Sequence, residues 1–404
     1  MLKQSTHLLF LAFFIGCITT LPLNAANRIS DRSIQVETPL TPEEIAEIRD
    51  LEEWPMIPVK LRDVSQEVIE SIRPLTDMKH LELSGRETAL ESFEILGAFE
   101  DLSVLKLRQL GDPNQSDFFY DVAPLANLTQ LRELTIYATH VTGLDALAAC
   151  TQLRELSLYM ASADSLSFLE HTPHLTALDL YGKDHRFDSY ALVAQLGDLR
   201  ELNLYMNPLA LDDNLQVLAG LSSLREIGLG HLDEITNLDF LANNLYLQEL
   251  KASWTDKLVS IEALRPMLCL QLVDIRDSQV TDLSPLTGKP TIETINLSGT
   301  PVTDLSALKG LVSLEDLDVS ETAIQDLSKL PFLPNLQSLN LEETPVTDLS
   351  PLVERTPRLQ SINLREVEVT DFEPLFELLE LEKIVLDRDA DPALAERLRQ
   401  RLPF

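Results

Sequence analysis

The stretch "IETINLSGTPVTDLSAL", residues 292–308, contains one complete unit of a repeat that decides the fold of this chain. Its segment "VTDLSAL" recurs as "VTDLSPL" from Val280 and Val346, as "IQDLSKL" from Ile324 and as "VTDFEPL" from Val369. Each copy follows an L-x-x-L-x-L pattern, and these patterns start 22, 22, 22 and 23 residues apart, at Leu270, Ile292, Leu314, Leu336 and Leu359. Such a period predicts stacked units, because one unit cannot bury its apolar face alone.

The same pattern continues toward both ends of the chain. Fifteen matches lie 22 to 29 residues apart, and the others start at Met56, Met78, Leu102, Leu131, Leu153, Leu175, Leu199, Leu224, Leu247 and Leu381. The Leu-x-Leu alternation in each match predicts a short, half-buried strand. We therefore predict an α/β solenoid with fifteen short parallel strands on one face.

Residues at equivalent positions of successive repeats form columns, and three such columns lie after the predicted strands. Two apolar columns are expected to point inward, with Val280, Val302, Ile324, Val346 and Val369 in one and Leu283, Leu305, Leu327, Leu349 and Phe372 in the other. A hydroxyl column is expected to bond the turning backbone, at Ser278, Thr300, Thr322 and Thr344. In "DLSPL" the serine is interpreted as the cap of a helical turn with proline at its first position, so Ser284 and Ser350 are assigned structural roles.

The 22-residue spacing and the pattern LxxLxLSGTPVTDLSAL resemble the leucine-rich repeat family, and among its classes the internalin type. The resemblance covers about four-fifths of the chain. It implies a horseshoe-shaped solenoid with the parallel sheet on its concave face and short 3-10 or helical turns on its convex face. It does not imply one function, because this fold carries many.

Residues 1–26 have the features of a signal peptide. Lys3 precedes the apolar stretch "HLLFLAFFIGCITTL", and small residues suited to cleavage surround Ala25 and Ala26. Two alternatives remain: "FIGC" resembles the lipobox of bacterial lipoproteins, with Cys17 as the lipidated residue, or the segment is retained as an anchor. We expect an exported protein of the periplasm or cell envelope, or a secreted one, that meets membranes only through such a lipid anchor.

The repeats are predicted to be closed by a cap at each end. Residues 27–55 form the N-terminal helical cap, in which Thr41, Pro42 and Glu44 have the pattern of a capping box. Residues 56–388 form the leucine-rich repeats. Residues 389–404 form the C-terminal helical cap, through the apolar spacing in "DPALAERLRQRL".

Charge and motifs restrict the function. With 65 acidic and 32 basic residues, the chain has a formal charge of −33, which argues against nucleic acid. A protein partner with a basic surface, a positively charged ligand and a role of the charge in solubility all remain open. The histidines of "HTPH" and the aspartates of "DRDAD" lack the further ligands of a metal site. We therefore expect a monomeric, non-enzymatic protein without a cofactor. Cys150 and Cys269 lie five repeats apart, about 24 Å, too far for a disulfide.

One column of exposed residues is a candidate binding site. Four of the seven tyrosines end consecutive predicted strands, at Tyr137, Tyr159, Tyr181 and Tyr205. An acidic column runs beside them, with Glu133, Glu155, Glu201 and Glu226, continues as Glu249, and is interrupted by Ala177. Tyrosine is enriched in interfaces, and carboxylates would select lysine or arginine on a protein partner.

Duplication offers a second explanation, since copying repeats also copies residues that have no function. The positions two residues before the tyrosines have diverged to Thr135, Ser157, Asp179 and Asn203, which favours a binding role. Insertions after Leu102, Leu175 and Leu199 lie on the tyrosine side. Alternative functions are an envelope lipoprotein or scaffold that binds a glycan, or a regulatory subunit of an enzyme.

Overall fold

The computed structural model describes residues 27–30, 32–62, 65–85, 93–108, 119–163, 165–182, 190–206, 215–387 and Arg397. The predicted signal peptide, including Cys17, lies outside the described residues. So does the predicted C-terminal cap, except for Arg397.

A single sheet of 18 strands runs through the described residues. The strands are β1 (Arg28–Ser30), β2 (Ser33–Val36), β3 (Val59–Arg62), β4 (His80–Ser84), β5 (Val104–Arg108), β6 (Phe119–Asp121), β7 (Glu133–Thr142), β8 (Glu155–Ala163), β9 (Ala177–Tyr181), β10 (Glu201–Asn203), β11 (Glu226–Gly228), β12 (Glu249–Lys251), β13 (Leu272–Asp274), β14 (Thr294–Asn296), β15 (Asp316–Asp318), β16 (Ser338–Asn340), β17 (Ser361–Asn363) and β18 (Lys383–Val385).

The fifteen predicted strands are confirmed as β3 to β5 and β7 to β18, and each pairs in parallel with the next. The register aligns equivalent leucine positions, as in the row of Ile295, Leu317 and Leu339. Those side chains are buried, because alternation along a strand sends every second residue to the core. The chain has the leucine-rich repeat fold.

Strands β1 and β2 form an antiparallel hairpin at the N-terminal end that the sequence patterns did not predict. Strand β2 also pairs in parallel with β3, so it covers the edge of the first repeat strand, which would otherwise expose unpaired backbone groups. The predicted helix follows as α1 (Pro42–Arg49) with its capping box, in which the backbone N–H of Glu44 donates to the Thr41 hydroxyl at 3.2 Å. This cap is therefore a hairpin and a helix, with Ile48 fully buried.

Two further α-helices, α2 (Gln66–Ser71) and α3 (Ser350–Arg355), and a series of 3-10 helices lie opposite the sheet. The 3-10 helices are Glu94–Ala98, Ala123–Asn127, Leu144–Ala149, Ser167–His171, Val193–Gln195, Gln216–Gly220, Asp239–Leu241, Glu262–Leu264, Ser284–Leu286, Ser306–Leu308, Leu327–Lys329 and Glu373–Glu377. No helix among the described residues has the length and apolar character needed to cross a membrane.

The prediction that serine caps these turns was wrong. The aspartate two residues earlier does so: Asp282 Oδ1 accepts the backbone N–H of Ser284 at 2.8 Å, and Asp348 does the same for Ser350 at 2.8 Å. Ser284 and Ser350 are the first residues of their helices, so the capping position falls on a leucine, which has no polar side-chain atom, and the aspartate before that leucine takes this role. The serine hydroxyls instead donate to these carboxylates, at 3.1 and 3.0 Å.

The same turn gives a pH-dependent contribution to stability at Asp304. Hydrogen bonds from the hydroxyl and backbone N–H of Ser306, and one from Lys329, lower the pKa of Asp304 to about 2. The carboxylate therefore stabilises the fold above its unfolded-state pKa of about 4, and this stabilisation is lost as the pH falls toward 2. We expect Asp304→Ala to lower the free energy of unfolding at pH 7 by about 0.5 kcal/mol, a small value because the group is exposed.

Thermal melts of parent and Asp304→Ala at pH 7, 4 and 2 test this expectation. The difference in melting temperature should shrink between pH 4 and pH 2. A difference that stays constant across this range would show that the carboxylate charge contributes nothing.

The inward columns form the continuous core. Val280, Val302, Ile324 and Val346 are buried, as are Leu283, Leu305, Leu327 and Leu349. The hydroxyl column is buried too, and its threonines donate to the carbonyl three residues earlier, Thr300 to Leu297 at 2.5 Å and Thr322 to Val319 at 2.6 Å. These bonds satisfy carbonyls that leave the sheet where the chain turns, as the sequence pattern predicted.

At the end of most of the short strands, an asparagine or aspartate side chain on the concave face accepts a hydrogen bond from the backbone two residues later. Asn296 Oδ1 accepts the backbone N–H of Ser298 at 3.0 Å, and equivalent bonds are made by Asn203, Asp274, Asp318, Asn340 and Asn363. Many repeats then place a residue in the left-handed region, at Met206, His231, Trp254, Asp277, Gly299, Glu321, Glu343 and Glu366. The left-handed residue determines the direction in which the side chains just after each strand point.

Cys150 and Cys269 are both free thiols. Cys150 is buried before β8, and Cys269 lies before β13. Burial raises the pKa of the Cys150 thiol to about 11.

Candidate functional site

The four predicted tyrosines lie in one row on the concave face. Tyr137 pairs in register with Tyr159, and Tyr159 with Tyr181. Tyr205 lies beside Tyr181, because Asn203, two residues before Tyr205, pairs with Asp179, two residues before Tyr181. Tyr137 is exposed and the other three are half-buried. Parallel pairing without a register shift places equivalent residues side by side, which explains the row.

The tyrosine rings contact one another along the row, with the outer two pairs stacked and the middle pair, Tyr159 and Tyr181, tilted by 41°. Ring centroids are 5.8 Å apart between Tyr137 and Tyr159 and between Tyr159 and Tyr181, and 5.2 Å apart between Tyr181 and Tyr205. The planes of the last pair differ by only 11°. Such offset stacks contribute about 0.5–1.5 kcal/mol per pair beyond the area they bury.

The stack continues beyond the predicted residues. The Tyr205 ring meets the edge of His231 at 5.0 Å, and His231 stacks on Trp254 at 4.8 Å. The guanidinium of Arg276 lies over the Trp254 ring at 4.4 Å and closes this end. We call Tyr137, Tyr159, Tyr181, Tyr205, His231 and Trp254 the aromatic ladder.

Sequence patterns missed His231 and Trp254 because both lie one residue beyond the tyrosine position of their repeats. Both adopt left-handed backbone angles, with φ of 54°. The tyrosine position of β11 is Gly230, where a Cβ would lie 2.6 Å from Cδ2 and Cε2 of Tyr205. Glycine therefore admits the Tyr205 ring, and the next residue, His231, takes the place in the ladder.

Stacking determines which chemistry the ladder presents. The rings of Tyr137 and Tyr159, of Tyr181 and Tyr205, and of His231 and Trp254 stack and so cover part of one another's faces. A sugar that stacks on an aromatic ring needs an open face, whereas a protein surface can pack against edges and hydrogen-bond to hydroxyls. The arrangement therefore favours a protein ligand over a glycan.

The predicted acidic column is also brought together. Glu133 pairs with Glu155, Glu201 with Glu226 and Glu226 with Glu249, while Ala177 lies between Glu155 and Glu201. Lys106 forms an ion pair with Glu133, and Lys251 with Glu249 at 2.6 Å. Burial, together with the charges of Glu249 and Glu201, raises the pKa of Glu226. A cation bound here would relieve that repulsion.

A cavity of about 460 Å³ on the concave face is lined by members of both the acidic column and the aromatic ladder. Tyr205 and Trp254 are the ladder residues in its lining, which also includes Asn203 and Gly228. The carboxylates on it are Glu155, Asp179, Glu201, Glu226 and Asp274, and the cations are Lys251 and Arg276. Five anionic groups against two cationic groups give the cavity a negative field.

Asp179 lies on the cavity floor between the two columns. It accepts the hydroxyl of Tyr159, because that ring leans toward the next strand. Its other oxygen, Oδ1, is buried and has no hydrogen-bond partner among the described residues. Burial raises the pKa of Asp179, and the bond from Tyr159 opposes this shift.

We expect Asp179→Asn to stabilise the protein at neutral pH. A folded-state pKa above the unfolded value means that the ionised carboxylate disfavours folding at pH 7, and that this cost disappears below the unfolded-state pKa of about 4. Asparagine can still accept the Tyr159 hydroxyl. The melting temperature should rise by about 1–2 °C at pH 7 and change little at pH 4. A lower melting temperature at pH 7 would contradict this account.

The insertion that follows Leu102 adds a strand to the sheet, on the side where the tyrosines lie. Its end forms β6, which pairs with the distal part of β7, from Phe119 opposite His140 to Asp121 opposite Thr142. Strands β7 and β8 have 10 and 9 residues, against three in β10 to β18. Residues 109–118, 183–189 and 207–214, which form most of the three insertions, lie outside the described residues.

The two histidines of "HTPH" do not form a metal site in the described part of the chain, and Asp389 and Asp391 of "DRDAD" lie outside the described residues. His171 and His174 are both exposed, and His174 Nδ1 lies 3.4 Å from Asp198. The described residues contain no group of three or more His, Cys, Asp or Glu side chains that could hold a metal ion.

Similarity to known proteins is found at the level of structure. A leucine-rich repeat protein of Leptospira interrogans is 19% identical, with a TM-score of 0.64 over 86% of this chain and 93% of that chain. An internalin from Listeria monocytogenes is 23% identical, with a TM-score of 0.54 over 80% and 88%. A chain of the Drosophila Toll–Spätzle complex is 15% identical, with a TM-score of 0.61 over 89% and 55%. No protein-family model matches the chain, and no curated protein matches its sequence.

Proposed function

We propose that this leucine-rich repeat protein is an exported, non-enzymatic binding protein that holds a partner protein on the concave face of β7 to β13. The aromatic ladder carries this proposal, since it crosses consecutive strands and borders the cavity. Tyrosine and tryptophan are the residue types most enriched at energetically dominant interface positions. The Toll–Spätzle complex is a protein complex that contains a chain of similar fold.

The partner surface is proposed to be basic. The chain has a net charge of −33, and the cavity beside the ladder contains five carboxylates. The Glu226 pKa is raised in the unbound protein, so a bound cation would be favoured there. Electrostatic attraction of this kind mainly increases the association rate and weakens as salt rises.

Export is supported by the pattern of residues 1–26, with either cleavage near Ala25 and Ala26 or lipidation of Cys17. Mass spectrometry of the protein isolated from its native envelope distinguishes the two. We expect an N-terminus at or near Asn27. A diacylated Cys17 at the N-terminus would assign the protein to the lipoproteins instead.

A site-specific crosslinking experiment tests the proposed interface. A photoreactive amino acid replaces Ser157, beside the ladder on β8, and in a control protein it replaces Lys309, which is exposed on the opposite side of the solenoid. Both proteins are exposed to extracts of the cell envelope and of host cells. We expect the same partner to be crosslinked from position 157 and not from position 309, with a yield that falls as salt is raised from 50 to 500 mM.

Crosslinks only from position 309 would place the interface on the convex face and overturn the proposal. Equal yields from both positions, insensitive to salt, would indicate nonspecific adhesion and have the same effect.

A further inference from the structure

We propose that the concave face contains a socket for an arginine side chain, with Ala177 as its floor and Glu155, Asp179 and Glu201 as its anionic groups. This inference rests on the proposed function, because the arginine would belong to the partner protein. All four residues line the cavity of about 460 Å³.

The position of Ala177 creates the space. Its strand neighbours in the acidic column are Glu155 on β8 and Glu201 on β10, which pair with it on either side. Strands lie about 4.8 Å apart, so the backbones of the two glutamates are about 10 Å apart across the alanine. A methyl group between two long carboxylate side chains leaves a gap in the column that a flat cationic group can enter.

The charges around this gap are uncompensated. Glu133 and Glu249, which flank it further along the column, form ion pairs with Lys106 and Lys251. Neither Glu155 nor Glu201 forms a salt bridge with a residue that the structure describes. The gap therefore combines free space with the two carboxylates of the column that have no cationic neighbour in contact.

Asp179 supplies an independent indication of a ligand. It lies on the same strand as Ala177, two residues further along, and faces the same side. One oxygen accepts the Tyr159 hydroxyl, while Oδ1 is buried without a partner. A buried acceptor without a hydrogen bond is costly, and a rotation of the Asp179 side chain that turns this oxygen toward a donor of the ligand would remove this cost.

Guanidinium fits this set of groups better than ammonium. It has five N–H donors in one plane, so it can serve carboxylates on different strands at the same time. It is also less strongly hydrated than ammonium, which lowers the cost of entering a cavity. Its flat face can rest against the Tyr205 ring, which lines the cavity.

The test uses a defined probe, the peptide acetyl-Gly-Arg-Gly-amide, titrated into the full chain and followed by calorimetry or NMR. The control probe replaces arginine with citrulline, which keeps the shape and removes the charge. We expect the arginine peptide to bind at least about tenfold more tightly than the citrulline peptide. A lysine peptide should lie between them.

Two variants locate the site. Ala177→Leu fills the gap with an uncharged side chain and should abolish the preference for arginine. Thr294→Leu is the matched control, because Thr294 occupies the same column on β14, where no gap between glutamates exists. Circular dichroism confirms that both variants fold, and Glu155→Gln/Glu201→Gln provides a second variant that removes the charges without filling the space.

Equal binding of the arginine and citrulline peptides would overturn the socket, as would full arginine binding by both Ala177→Leu and the glutamine variant. The proposed function stands in that case if a partner still crosslinks from position 157. Conversely, arginine binding that depends on Ala177, together with no partner on the concave face, supports the socket and overturns the proposed function.

Discussion

Replacing Tyr159 and Tyr181 together by alanine should weaken binding of the crosslinked partner by about 2 kcal/mol or more, roughly 30-fold in Kd. These residues form the middle of the tyrosine row, and the ring of each one contacts the rings before and after it in the row. Their removal would take away two adjacent rings at the centre of the proposed interface. It would also release Asp179 from its hydrogen bond with Tyr159.

Titration calorimetry or surface plasmon resonance with the purified partner measures this effect. Tyr246→Ala is the matched control, because Tyr246 is 60% exposed and stands outside the aromatic ladder. Among the described residues, the Tyr246 ring has one ring contact, with the guanidinium of Arg225, whose Cζ lies 5.1 Å from the ring centroid. The control should retain affinity within about twofold.

Unchanged affinity of the double variant would mean that the tyrosine row is a remnant of repeat duplication or serves only packing. The structure shows that some packing role is present, since the rings are stacked. We therefore expect the double variant to lose about 1–2 kcal/mol of stability in addition to its binding defect.

The second large effect concerns stability and compares two adjacent residues of β9. Leu180→Ala should lower the free energy of unfolding by about 2–5 kcal/mol, because Leu180 is fully buried and its truncation leaves a cavity. Tyr181→Ala should cost only about 1 kcal/mol, because its ring lies on the concave surface and loses stacking rather than core packing.

Urea denaturation followed by circular dichroism gives both values. The contrast depends on the register, since a slip by one residue would exchange the two faces of the strand. Equal losses for the two variants, or a larger loss for Tyr181→Ala, would contradict the assignment of Leu180 to the core and Tyr181 to the concave face.

Repeat period and alternation allowed much of this molecule to be predicted. Equivalent residues 22 or 23 positions apart must lie side by side once strands pair without a shift, so the leucine columns, the tyrosine row and the acidic column all followed from spacing. The hydrogen bonds of Asn27 could not be predicted from repeat spacing. Its Oδ1 accepts the backbone N–H groups of Glu37 and Thr38, at 3.0 and 3.1 Å, within the hairpin cap.

Errors arose where several residues could satisfy one backbone group. Serine and aspartate both cap turns, and the sequence offers both in "DLS", yet only Asp282 reaches the N–H of Ser284 in the observed turn. Strands β1, β2 and β6 likewise lack the repeat pattern, because their pairing depends on which edge is left open by neighbouring elements.

The sequence by itself determined the repeat, the inward and outward faces of each strand, and the row formed by Tyr137, Tyr159, Tyr181 and Tyr205. Periodicity contains this information because each repeat contacts mainly its neighbours. Only the tertiary structure decided that the rings stack and that His231 and Trp254 extend the ladder. Side-chain direction after a strand depends on a left-handed turn, and ring contacts depend on how each side chain leans across the next strand, neither of which spacing along the chain specifies.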